Sequence, residues 1–152
     1  VPIATRGKYT FGEKEYSDGA LLDPIPIEPV LKAGYKDITV VLNNPIDYKT
    51  KQYGKLLSNL SFRGNKKAIW AMQNYHHIRY NQSMDILNNP PSDVTINIIA
   101  PEKDLPTGLL VTDTKKLNLS VDLGMEAAKK MFQRNSTKIR NFLESLRHFN
   151  HR

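Results

Sequence analysis

The chain has 152 residues, 39% hydrophobic and 24% charged, which suits one folded domain with a core and argues against wholesale disorder. It has no cysteine, so disulfides and thiolate chemistry are excluded, and no apolar run approaches the roughly 18 residues that span a bilayer. The net charge of +7 is unevenly placed: residues 1–126 hold 15 Lys/Arg against 14 Asp/Glu, and residues 127–152 hold 7 against Glu144 alone.

Lys8-Tyr9-Thr10-Phe11 and Lys14-Glu15-Tyr16-Ser17, separated by Gly12-Glu13, read as a β-hairpin. Asp18-Gly19 follows as a turn. Pro24, Pro26 and Pro29 then lead into a short helix over Ile27–Ala33, since proline is tolerated in the first turn and not deeper. Gly34 is its expected stop. Asp37 to Leu42 is a nearly continuous apolar run, which predicts a buried strand of the parallel-sheet kind, ended by Asn43-Asn44-Pro45.

Lys66 to about Leu87 contains no Gly or Pro and reads as a helix, stopped by Asn88-Asn89-Pro90-Pro91-Ser92. Val94 to Ile99 is a second strand, closed by Pro101. Thr112-Asp113 is an N-cap signal. Beyond it Leu117, Val121, Gly124, Met125, Ala128 and Phe132 follow helical spacing and predict one buried stripe. Asn135-Ser136 is expected to separate this helix from a last basic one near Thr137–Arg147. The fold class is therefore α/β, and two core strands plus a hairpin suggest part of a larger sheet.

An Asp-Gly pair alone usually marks a turn. The longer string is more informative. With Pro24-Ile25-Pro26-Ile27, Gly34 and the strand Ile38–Leu42 in that order, Tyr16-Ser17-Asp18-Gly19-Ala20 resembles the patatin-like phospholipases, in which an Asp-Gly-Gly or Asp-Gly-Ala turn supplies the aspartate of a serine–aspartate dyad. Glu15 to Pro45 carries the specific part of the resemblance. Arg79-Tyr80-Asn81, Ile98-Ile99-Ala100-Pro101 and Leu123-Gly124 support it more loosely.

The resemblance implies a three-layer α/β/α fold, with residues 1–134 as the C-terminal part of the domain and 135–152 as a basic helical tail. It implies hydrolysis of acyl-lipid esters with Asp18 as base and Gly19 and Ala20 shaping the turn, Gly19 through a φ that other residues resist. No metal or organic cofactor is implied. The chemistry needs a serine activated by a neighbouring base. The family's Gly-x-Ser-x-Gly elbow is absent, since no two glycines here lie four apart, and so is its glycine-rich oxyanion loop. The expectation is a C-terminal section whose serine and oxyanion donors lie upstream, inactive by itself.

Other residues read more plainly. His76 and His77 are adjacent on a helix and point apart, with no His or Glu four residues on, so a metal site is not expected. His148 and His151 are expected in solvent. Glu13 and Glu15 fit a polar strand face, Lys66-Lys67 and Lys115-Lys116 a solvated surface, and Trp70, Met72 and Tyr75 a core stripe. The basic tail, with Lys129, Lys130, Arg134 and Lys138, reads first as a solvated helix face with a polar end, and second as a surface for peripheral contact with an anionic membrane. A non-catalytic α/β module using that tail for nucleic acid or membrane is the alternative. Nucleic acid is not expected, because the basic residues do not interleave with aromatics. The sequence does not reveal the compartment; a cytoplasmic or peripheral-membrane setting is the expectation.

Overall fold

Residues 9–108 and 111–149 are described by a computed structural model, with side chains to Thr137. The element order is β1 (Tyr9–Phe11), β2 (Lys14–Tyr16), a 3₁₀ turn (Gly19–Leu21), α1 (Ile27–Lys32), β3 (Asp37–Val41), α2 (Lys55–Ser61), α3 (Lys66–Asn74), α4 (His76–Asn88), β4 (Thr95–Ile99) and α5 (Thr114–Phe149). Among the described residues the fold is thus mixed α/β, with two small sheets of two strands each. Two compact units divide it: residues up to 37 with 47–95, and residues 38–46 with those from 96 on.

In the first unit, β1 and β2 pair antiparallel as Tyr9 with Tyr16, Thr10 with Glu15 and Phe11 with Lys14. Gly12 takes φ 61° at the turn, a left-handed value that glycine adopts without a side-chain clash. Gly34, at φ 88° just past α1, ends that helix as its position predicts. The core gathers Leu21, Phe62, Ala68 and Met72, with Tyr53 and Ile69 packed against them. Tyr80, Met84 and Leu87 are buried along α4.

The helix expected over Lys66–Leu87 is two helices. Tyr75, at φ −124° and ψ −47°, leaves the helical path between them. Asn74 donates its side-chain amide to the Trp70 carbonyl at 3.0 Å, and such local bonding competes with the backbone ladder. Trp70 and Tyr75 stack at 6.4 Å across the break. Of the three residues assigned to a core stripe, only Met72 is buried; Trp70 is 58% exposed.

α2 has no counterpart in the sequence reading. Its three leucines, Leu56, Leu57 and Leu60, are exposed, and its buried residue is Ser58, whose hydroxyl donates to the Gly54 carbonyl at 2.9 Å. The usual apolar-inward pattern is reversed there.

β3 and β4 run parallel: the Lys36 carbonyl accepts from Thr95 N–H at 2.7 Å, and Leu42 N–H donates to the Ile99 carbonyl at 2.8 Å, so both strands advance together. β3 is not the fully buried strand expected. Ile38 is buried while Val41 is 70% exposed, and burial alternates along the strand. α5 starts at Asp113, whose carboxylate accepts the N–H groups of Lys115 and Lys116.

That helix runs unbroken through Asn135-Ser136, where a separation was expected. Ser136 and Thr137 return their hydroxyls to the carbonyls of Phe132 and Gln133 at 2.9 and 3.0 Å, so both residues are accommodated inside a helix. Asn135 donates to Asn97 on β4 at 2.9 Å. Met131 is buried, but Leu117, Val121, Met125 and Phe132 of the predicted stripe are exposed. No helix among the described residues is long and apolar enough to cross a membrane.

Candidate functional site

Asp18 stands where β2 ends and the 3₁₀ turn begins, with extended backbone angles. Its carboxylate Oδ1 accepts the Ala20 N–H at 2.8 Å, the usual use of an aspartate at a helix N-cap. Leu21, the next residue of the turn, is buried against Phe62, Ala68 and Met72 and pins the turn to the first unit's core. The side chain of Asp18 is exposed. One oxygen is therefore committed to the turn, and Oδ2 makes no hydrogen bond among the described residues.

Gly19 lies in the turn, but without the φ expected of it. Its φ is not left-handed, and a Cβ placed there would meet nothing within 4 Å. The turn closes through its carbonyl instead, which accepts from Leu22 and Asp23 N–H at 3.1 and 2.9 Å. Ala20 contributes the N–H that holds Asp18.

One face of α4 receives the chain that follows Asp18. His76, Arg79 and Ser83 recur at helical spacing. Ser83 is 1% exposed and donates to the Ile25 carbonyl at 2.9 Å. Arg79 donates to Glu28 at 2.7 Å and lies 3.5 Å from Asp23. That guanidinium, by hydrogen bond and charge, holds the Glu28 carboxyl below its ordinary range, and Glu28 in turn raises Arg79. Beside them, Tyr80 meets Tyr48 edge-on at 5.6 Å, and Asn81 grips Thr50 through two 3.1 Å bonds, one to its N–H and one to its carbonyl. Arg79-Tyr80-Asn81 is thus a clamp, holding segments 23–28 and 48–50 on one helix.

His76 opens α4 half-buried, its ring edge-on to Tyr53 at 5.6 Å. Burial first, and the neighbouring His77 second, push it below the ordinary histidine value, while the charge of Asp18 pulls it back up. Asp18 and His76 are therefore electrostatic neighbours, linked through the Leu21–Tyr53 cluster. The Nδ1 atoms of both histidines are buried without a hydrogen-bond partner among the described residues. Sequence reading placed His76 on a helix and assigned it nothing. A separation of 58 residues from Asp18 leaves no periodic signal that could have joined the two.

No cluster of three or more potential metal ligands occurs among the described residues. Glu13 and Glu15 lie in the exposed hairpin. Of the tail cations, Lys129 is exposed, Lys130 is held by Glu102 at 2.7 Å and Glu126 at 2.9 Å, and Arg134 is exposed. The side chain of Lys138 and both terminal histidines, His148 and His151, lie outside the described residues.

A family model described as a domain of unknown function, DUF6363, matches residues 66–149, spanning α3 to α5 and leaving Asp18 outside the matched stretch. No curated protein and no solved structure matches the chain.

Proposed function

The chain belongs to the DUF6363 family; on the separate resemblance carried by Tyr16-Ser17-Asp18-Gly19-Ala20 and the run after it, which lies outside the matched stretch, we propose that it is the C-terminal section of a patatin-like lipid acyl hydrolase with Asp18 as the base of a serine–aspartate dyad. The observation that carries the reading is the state of the Asp18 carboxylate: exposed, fixed in direction by the Ala20 N–H on Oδ1, with Oδ2 uncommitted. A base must be held and still have an oxygen to receive a proton.

In this reading Oδ2 accepts the proton of a serine Oγ supplied by polypeptide outside these 152 residues. The oxygen attacks the ester carbonyl, and the proton passes on to the departing alcohol. Water, deprotonated by the same carboxylate, then releases the acid and restores the serine. His76 does not enter the proton path. Its half-buried ring lies within the electrostatic reach of Asp18, and the chemistry requires no metal or organic cofactor.

The same oxygens would also suit a turn with no chemistry, and one substitution separates the two. Asp18→Asn keeps an N-capping oxygen but cannot take a proton at neutral pH. In the full-length protein carrying this chain, hydrolysis of a short-chain ester should fall by at least about 10²-fold in the variant. Turnover near the unsubstituted level would leave Asp18 as a capping residue alone.

A further inference from the structure

The second unit contains a cavity of about 570 Å³, within the range of small-molecule sites, lined on its apolar side by Ile46, Ile98, Leu123 and Met131. We propose that this cavity binds a single alkyl or acyl chain carrying a compact oxyanion head, with Arg134 as the head's partner. The inference rests on the acyl-ester reading for its ligand class.

The lining is more apolar than polar. Met131 is buried and Leu123 half-buried, and Ile98 enters from β4. A chain of methylenes would gain roughly 0.8 kcal/mol for each one buried. The charged side chains of the lining are exposed, apart from the half-buried Lys130. Three cations (Lys103, Lys130, Arg134) balance three carboxylates (Glu102, Asp104, Glu126), so the lining is neutral and net charge does not select the ligand.

Donor supply selects it instead. Lys130 spans Glu102 and Glu126, which satisfies both carboxylates and lowers Glu102 from its ordinary value by hydrogen bond and charge. Arg134 feels the charge of Glu102 but makes no hydrogen bond or ion pair among the described residues. A guanidinium carries five N–H donors in a fixed fork that fits a carboxylate or a phosphate with two bonds. An apolar volume beside such a fork suits an amphiphile whose head is one of those anions.

The test is calorimetric titration of the full chain with octanoate, octyl phosphate and octanol. At least one anion should bind saturably at one site, and its affinity should fall about tenfold in Arg134→Gln, the size of one lost charge-assisted contact, with partial recovery in Arg134→Lys. Octanol binding should be unmoved by Arg134→Gln. Leu123→Trp, which fills the cavity, should abolish binding of all three, with far-ultraviolet circular dichroism reporting an intact fold. A preference for octyl phosphate assigns the head to a phosphate ester, and a preference for octanoate assigns it to a free acid. Absence of saturable binding, survival of binding in Leu123→Trp, or equal loss of octanol in Arg134→Gln would overturn the proposal. Binding needs no turnover, so it is independent of the Asp18→Asn result: loss of hydrolysis with binding intact, or the reverse, shows which idea failed.

Discussion

Asp18 serves the backbone and, in the proposed reading, the chemistry, and the two roles use different oxygens. Removing the cap with Asp18→Ala should lower the stability of the chain by about 1 kcal/mol, whereas Asp18→Asn should leave it within a few tenths. Chemical denaturation of the two variants measures this difference. His76 gives a second, pH-dependent signature. Its folded value lies below the ordinary 6.5, so the unfolded chain takes up the proton more readily. Stability should therefore be intact above about pH 6.5 and decline as the pH drops through that value toward the lower folded one. Thermal melts at pH 7.5 and 5.5 should show that decline, and His76→Gln should reduce it. Because Asp18 raises His76, Asp18→Asn should move the His76 titration, followed by NMR, further down. At this scale the turn at Asp18 was legible, since an Asp-Gly pair is local turn chemistry. Gly19 misled for the same reason: its neighbours suggested a strained backbone, yet the turn needs only its carbonyl.

Among the elements, α4 organises the first unit. Its side chains hold the segments on either side of α1 and β3 through Arg79, Ser83 and Asn81, by bonds 31 to 58 residues apart in sequence. Asn81→Ala would strand the N–H and carbonyl of Thr50, a residue only 9% exposed. The expected cost is about 1–3 kcal/mol, read as a lower midpoint in urea. The hairpin, α1, β4 and the start of α5 were readable because turn residues and caps fix them locally. The break at Tyr75 was not, because no Gly or Pro announces it. α2 was invisible for a different reason. Its leucines face solvent and its serine faces in, so the hydrophobic pattern points the wrong way. The continuity of α5 past Asn135 depends on hydroxyls bonding back along the helix, an option that residue preference alone counts against.

For the molecule as a whole, the α/β class was readable from two strands and the helices between them, and their parallel pairing followed from the order of elements. The degree of burial was not. Tyr9, Phe11, Leu56, Leu60, Val41 and Phe132 are all exposed. The basic character assigned to the tail is also thinner than its count implies, since Lys130 is already paired with two carboxylates. The central claim is chemical. It is tested most directly by measuring kcat on a short-chain ester and Tm together, in the full-length protein and its Asp18→Asn variant. The account predicts a fall in kcat of at least about 10²-fold with Tm unchanged. Retained kcat, or a loss of kcat that merely accompanies a loss of Tm, would contradict it.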